Sequence, residues 1–145
     1  MSPAIKNVLA VVAGVVVGSV VNMALVGIGP ALIPPPEGAD VSTVEGLRDS
    51  MALFKPANFI FPFLAHALGT LAGAFVAAKL AASHQVKFAM AIGVFFLAGG
   101  IAAVYMFGGP LWFKATDLLL AYLPMGYLGA AMAGTDPLRD KLVLV

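Results

Sequence analysis

Phe59–Ser83 reads FIFPFLAHALGTLAGAFVAAKLAAS, with Lys79 as its one cation, close to the end. About 20 apolar residues suffice to cross the hydrocarbon core of a bilayer, so the stretch predicts a transmembrane helix. It also carries a small residue at every fourth position: Ala65, Gly69, Gly73, Ala77 and Ala81. On a helix these lie on one stripe almost bare of side chain. Such a stripe admits close approach by a second helix and offers little to lipid, so this segment is expected to be the hub of the fold. His66 stands in the same segment and is the only histidine within an apolar run.

The composition around the hub agrees with a membrane setting. The 145 residues leave room for one domain. Apolar residues make up 61 % and charged residues 10 %, with a mean hydropathy of +1.02. A soluble domain carries about a quarter charged residues to cover itself. This chain lacks that cover, and the lipid bilayer is its expected partner. The net charge of +1 excludes the broad basic surface of a nucleic-acid binder. Without cysteine there is no disulfide, no thiolate nucleophile and no thiolate metal site.

Upstream, the run Val8–Ile33 far exceeds the roughly 7–15 apolar residues of a signal peptide and reads as a retained first span. Its own stripe is Ala10, Gly14 and Gly18, continuing to Asn22. Laid antiparallel on the hub, it sets Gly18 level with Gly73 and Asn22 with Gly69. Gly27, Gly29 and Pro30 loosen the helix, and Pro34-Pro35-Pro36 stops it. In the outer loop 34–55, Ser42-Thr43-Val44-Glu45 has the form of a capping box. Val44, Leu47, Met51 and Phe54 follow at helical spacing and predict a short amphipathic helix at the membrane surface.

Downstream of the hub span (57–83), His84-Gln85 forms a tight turn into a third span, 87–107. Gly108-Gly109-Pro110 breaks the chain, and Trp112 with Lys114 supplies an interfacial anchor. A fourth span is expected over 116–134, interrupted by Pro124 and carrying Gly126, Ala130 and Gly134. The expected fold is therefore all-α: an integral membrane four-helix bundle, up-down-up-down, with an interfacial amphipathic helix between spans one and two. Lys6, Lys79, Lys87, Arg139 and Lys141 would lie on the side of the termini, and only Arg48, Lys55 and Lys114 opposite. The positive-inside rule then makes both termini cytoplasmic.

Few polar groups fall within the spans. At 1.5 Å per residue, His66 and Asn22 both lie roughly 10–16 Å below the outer surface. Thr70 is one turn from His66, and Asp117 and Tyr122 occupy the outer half of the fourth span. Together His66, Asn22, Thr70, Tyr122 and Asp117 are candidates for an outward-facing ligand pocket, since ionisable groups in a membrane are costly to place. The alternative is that neutral His66 merely hydrogen-bonds across helices. Asp117 is also explained as a first-turn residue complementing a helix dipole, or as a surface partner of Lys114. His66 is expected to have no deep carboxylate beside it. Accordingly no catalytic residue, metal ligand set or cofactor is assigned. Gly14, Gly18, Gly69, Gly73 and Ala77 are expected to be helix-packing positions, within the bundle or against another protein.

PPPEGAD at Pro34–Asp40 and FLAHALGT at Phe63–Thr70, with the Trp112-Phe113 anchor, resemble small four-span bacterial inner-membrane proteins. The resemblance implies a multi-pass protein of the bacterial inner membrane and no particular activity, cofactor or site. Three functions are expected, in order of preference. The first is an accessory subunit or self-assembling scaffold acting through helix contacts, as a homo-oligomer or with a membrane-protein partner, because the glycine stripes exceed what one bundle needs. Next is a small transporter or ligand-binding protein using the pocket at His66. The third is a membrane enzyme acting on a lipid or quinone.

Overall fold

A computed structural model describes residues 1–135 of the chain. Arg139, Lys141 and the apolar Leu142–Val145 tail lie outside the described residues.

The first helix, α1, runs over Pro3–Leu32, starting five residues before the apolar run. Ser2 caps it, its hydroxyl accepting from the Ile5 amide at 3.4 Å, and Pro3 sits where its missing N–H costs nothing. Pro30 is tolerated because the helix ends two residues later, the Ile33 amide donating to the Gly29 carbonyl at 2.8 Å. The outer loop then forms α2, Val44–Ser50, followed by a 3-10 turn at Met51–Leu53. Its cap is one residue later than the capping box predicts. Thr43 accepts from the Gly46 amide at 2.9 Å, so Glu45 falls short of the third helical position and cannot close the box. Ser42 instead donates its hydroxyl and its amide to Asp40, at 2.6 and 2.9 Å.

A second 3-10 turn, Pro56–Phe59, leads into α3, Ile60–Leu80, the predicted hub. The turn at its end is made by His84 in the left-handed region (φ 47°), and α4 follows over Gln85–Phe107. In the remaining apolar stretch the expected interruption at Pro124 is a full break, and the helix before it starts five residues earlier than expected. Two ten-residue helices, α5 (Leu111–Leu120) and α6 (Leu123–Met132), take the place of the interrupted span over 116–134. Pro124 is the cause. It has no N–H to give to Leu120, and its ring crowds that carbonyl, so the chain departs from helix at Tyr122 (φ −120°, ψ −77°) and starts again.

Three helices are long and apolar enough to cross a membrane by length and composition: Pro3–Leu32, Pro56–Leu80 and Gln85–Phe107. The described residues are helical with no strand. Large side chains point out and small ones in. Val8, Val12, Val16, Val20 and Met23 are exposed along α1, whereas Ala10, Gly14 and Gly18 are buried. The largest side chains that are fully enclosed are only Ile92 and Thr70.

The α1–α3 contact is the most extensive and lies along the two predicted stripes. Gly14 opposes Gly73, and Gly18 opposes Gly69. A methyl group on Gly14 would stand 2.6 Å from the Gly73 carbonyl oxygen, and one on Gly69 2.9 Å from that of Gly18. The predicted pairings are realised as diagonal contacts half a step away, Gly73 with Gly18 and Gly69 with Asn22. Ala77 closes the same seam against Gly14. On the other face of α3, Gly129 of α6 meets the Leu71 carbonyl, and Gly126 packs on Gly93 of α4. The inner part of the molecule is thereby filled by alanine, glycine and Ile92.

Candidate ligand-binding site

The break before Pro124 has a local consequence. It turns Tyr122 into the molecule, where it is 2 % exposed, five residues after Asp117 of α5. Asp117 is itself 3 % exposed and accepts on both oxygens. The Tyr122 hydroxyl donates to Oδ2 at 2.9 Å, and Nδ1 of His66, in the second turn of α3, donates to Oδ1 at 2.8 Å. With the Asp117 carboxylate ionised, and so able only to accept, the ring hydrogen lies on Nδ1 and Nε2 is left for another partner. The His66 and Tyr122 rings lie nearly parallel, with centroids 5.8 Å apart. Tyr122 fits because Gly100 of α4 has no side chain; a β-carbon there would collide with its ring and hydroxyl.

Three sequence expectations are corrected here. Asp117 is not a first-turn residue, since α5 begins at Leu111 and places it in the middle of the helix, buried. Nor is it a surface partner of Lys114: its two oxygens engage His66 and Tyr122. His66 therefore has the deep carboxylate it was expected to lack.

His66 keeps a quarter of its side-chain surface open and borders two cavities. The inner one, about 210 Å³, is lined by Asn22, Gly69, Thr70, Phe96, Gly100 and Tyr122, among others. Asn22 Oδ1 and Thr70 Oγ are buried there without a hydrogen-bond partner. A buried polar atom left unpaired costs about 1–3 kcal/mol, so these two atoms mark a place where water or a ligand group belongs. The outer cavity, about 260 Å³, is walled by apolar groups such as Val26, Met51, Phe54, Phe107 and Phe113, with Lys114 and Asp117 at its side. A third, apolar hollow of about 250 Å³ lies at Gly29, Pro30 and Phe61, between the outer ends of α1 and α3. It shares Val26, Leu47, Phe54 and Pro62 with the outer cavity.

All five sequence candidates thus fall at one place. His66, Asp117 and Tyr122 touch, while Asn22 and Thr70 line the cavity beside them. Gly100 and Phe96 were missed. Gly100 is recognisable only once Tyr122 is seen to need the space, and Phe96 reads in sequence as one more apolar residue. Among the described residues no three His, Asp or Glu side chains converge as a metal ion would require. Comparison with protein-family models, with curated proteins and with solved structures finds no match for the chain.

Proposed function

We propose that this is a small multi-pass membrane protein that binds a ligand in an outward-facing pocket, with His66 as the central contact and proton acceptor. The observation that carries the reading is the buried Asp117 carboxylate. It holds His66 by Nδ1, and His66 borders the cavity that contains the unpaired Asn22 and Thr70 atoms. A carboxylate behind an imidazole fixes its orientation and its tautomer, with Nε2 left to accept.

The membrane setting is supported by the exposed Val and Met surface of α1 and by the three spanning-length helices. In this reading α5 and α6 together make the fourth crossing. Their combined length of roughly 30 Å matches a hydrocarbon core of about 30 Å, and a helix break at that depth is tolerated because it faces protein. The molecule is then an up-down-up-down four-helix bundle in a bacterial inner membrane, with both termini cytoplasmic. Trp112 and Tyr105 sit near the outer interface.

Two rivals lose ground. The scaffold reading drew on surplus glycine stripe, yet Gly14, Gly18, Gly69, Gly73, Gly126 and Gly129 all meet neighbours inside the chain. Transport through the molecule needs a path past the inner half, which is closed by helices in glycine-to-backbone contact. A binding site open to one side fits better.

The test is to purify the full chain and its His66→Ala variant in mild detergent and compare tightly bound small molecules by native mass spectrometry. A species held by the parent and lost from a variant with unchanged melting is expected. Identical complements in the two proteins would remove the proposal.

A further inference from the structure

Resting on that binding-site reading, we infer the ligand's class: a neutral amphiphile whose head carries hydroxyl donors and whose apolar tail leaves sideways between α1 and α3. The head chemistry follows from what the inner cavity leaves unpaired. Asn22 Oδ1 is an acceptor, Thr70 Oγ can accept, and Nε2 of His66 accepts when its Nδ1 hydrogen is bound to Asp117. Asn22 Oδ1 and Thr70 Oγ are unpaired in one space of about 210 Å³ that His66 also borders, and a molecule that donates would pair them. A cationic head has no carboxylate to pair with in the lining of the inner cavity, because Asp117 borders the outer one. A carboxylate head would find no cation in that lining, only the neutral donors of the Thr70 hydroxyl and the Asn22 amide. A hydroxyl on an aromatic ring suits the site best, since it donates strongly and can lie against Phe96 and Tyr122.

The tail follows from the succession of the hollows. The inner and outer cavities share His66 and Gly100 in their linings. The outer one in turn shares Val26, Leu47, Phe54 and Pro62 with the third hollow. From polar head to the gap at Gly29 and Phe61 the lining turns from hydrogen-bonding to wholly apolar walls, apart from Asn58. Asn58 is itself tied back to the Pro34 carbonyl at 3.0 Å and to the Lys55 amide at 2.9 Å. A chain of methylenes fits such a passage, and α2 with its 3-10 turn roofs it.

Binding to the full-length protein in detergent, followed by calorimetry under anaerobic conditions, tests this with three probes: a decyl-substituted dihydroxybenzene, its dimethyl ether and decanoate. The dihydroxy compound is expected to bind about tenfold or more tighter than the ether, the discrimination a site built for hydroxyl donors achieves. Thr70→Val, nearly isosteric, should reduce that preference several-fold without changing ether affinity. Asn22→Leu should do the same and is read only where its melting matches the parent's. Equal affinities for dihydroxy compound and ether would overturn the inference, leaving a cavity filled by water. No saturable binding of the dihydroxy compound, or tightest binding of decanoate with its head at Lys114, would overturn it too. In any of these cases the binding-site reading still stands if His66→Ala sheds a bound molecule, so the two failures are separable.

Discussion

Tyr122→Phe isolates one bond of the network. The ring keeps its place against Gly100 and its stacking on His66, while the hydroxyl that donates to Asp117 at 2.9 Å is lost. Asp117 is only 3 % exposed, so water cannot readily replace the donor. An unpaired buried acceptor costs about 1–3 kcal/mol. Interhelical hydrogen bonds in membrane bundles average about 0.6 and reach about 1.7 kcal/mol. Because the acceptor is a carboxylate, the upper part of that span applies, and about 1.5 kcal/mol is expected. For a chain of this size that is a fall of roughly 3–6 °C in melting temperature.

The decisive measurement is a double-mutant cycle with Asp117→Leu, using reversible unfolding in mild detergent followed by circular dichroism. With Leu at position 117 the Tyr122 hydroxyl has nothing to donate to, so removing it should cost almost nothing. The coupling energy is then nearly the whole of the single-mutant effect, about 1.5 kcal/mol. If Tyr122→Phe costs the same in both backgrounds, the two side chains do not meet. The site as described would then be wrong at its centre.

Three further outcomes are expected. Gly14→Ala should destabilise by about 1–3 kcal/mol relative to Gly27→Ala, because a methyl at Gly14 meets the Gly73 carbonyl at 2.6 Å and one at Gly27 meets nothing within 4 Å. The gain in helix propensity is common to both, so equal melting of the two variants would contradict the α1–α3 seam. In the outer loop, the Ser42 hydroxyl and amide hold the Asp40 carboxyl below its ordinary value of 3.8. The turn it makes should be intact above pH 3.8 and be lost as pH falls through the lower folded value; a Ser42 amide signal that already shifts between pH 5 and 7 would contradict this. Since the chain has no cysteine, Ser2→Cys and Ser42→Cys each introduce a single thiol. An impermeant maleimide should reach them from opposite faces of sealed vesicles, and labelling from one face only would exclude the proposed orientation.

Much of the architecture was legible because these apolar helices reverse the usual pattern, large side chains out and small ones in. Ala10, Gly14 and Gly18 repeat at four residues, as do Ala65, Gly69, Gly73 and Ala77, and two bare stripes can only be efficiently buried on each other. The register came out half a step away, since glycine faces interlock diagonally and do not meet residue for residue. His66, Asn22 and Thr70 were recognisable because polar atoms at that depth are expensive. The role of Asp117 was not legible. In sequence it follows Trp112 and Lys114, which are interfacial residues, and nothing local says that α5 begins early enough to bury it.

The break before Pro124 accounts for the Tyr122 side of the cluster. A continuous helix from Thr116 would put Tyr122 five residues, and about 140° of rotation, from Asp117, on another face. Departure from helix at Tyr122 abolishes that separation and lets its hydroxyl reach back to Oδ2 of the same segment. Oδ1 is then left to His66 on α3. Pro124, which reads in sequence as a mere interruption, is therefore the residue that assembles the cluster. It acts at a distance of two residues, through a hydrogen bond it cannot make. Helix breaks of this kind occur in membrane proteins where they are buried in protein or line a cavity, because there the freed backbone finds partners. Here the break stands beside the one cavity with unpaired polar atoms among the described residues. The fold has given up a regular fourth helix at the very point where His66 acquires its carboxylate.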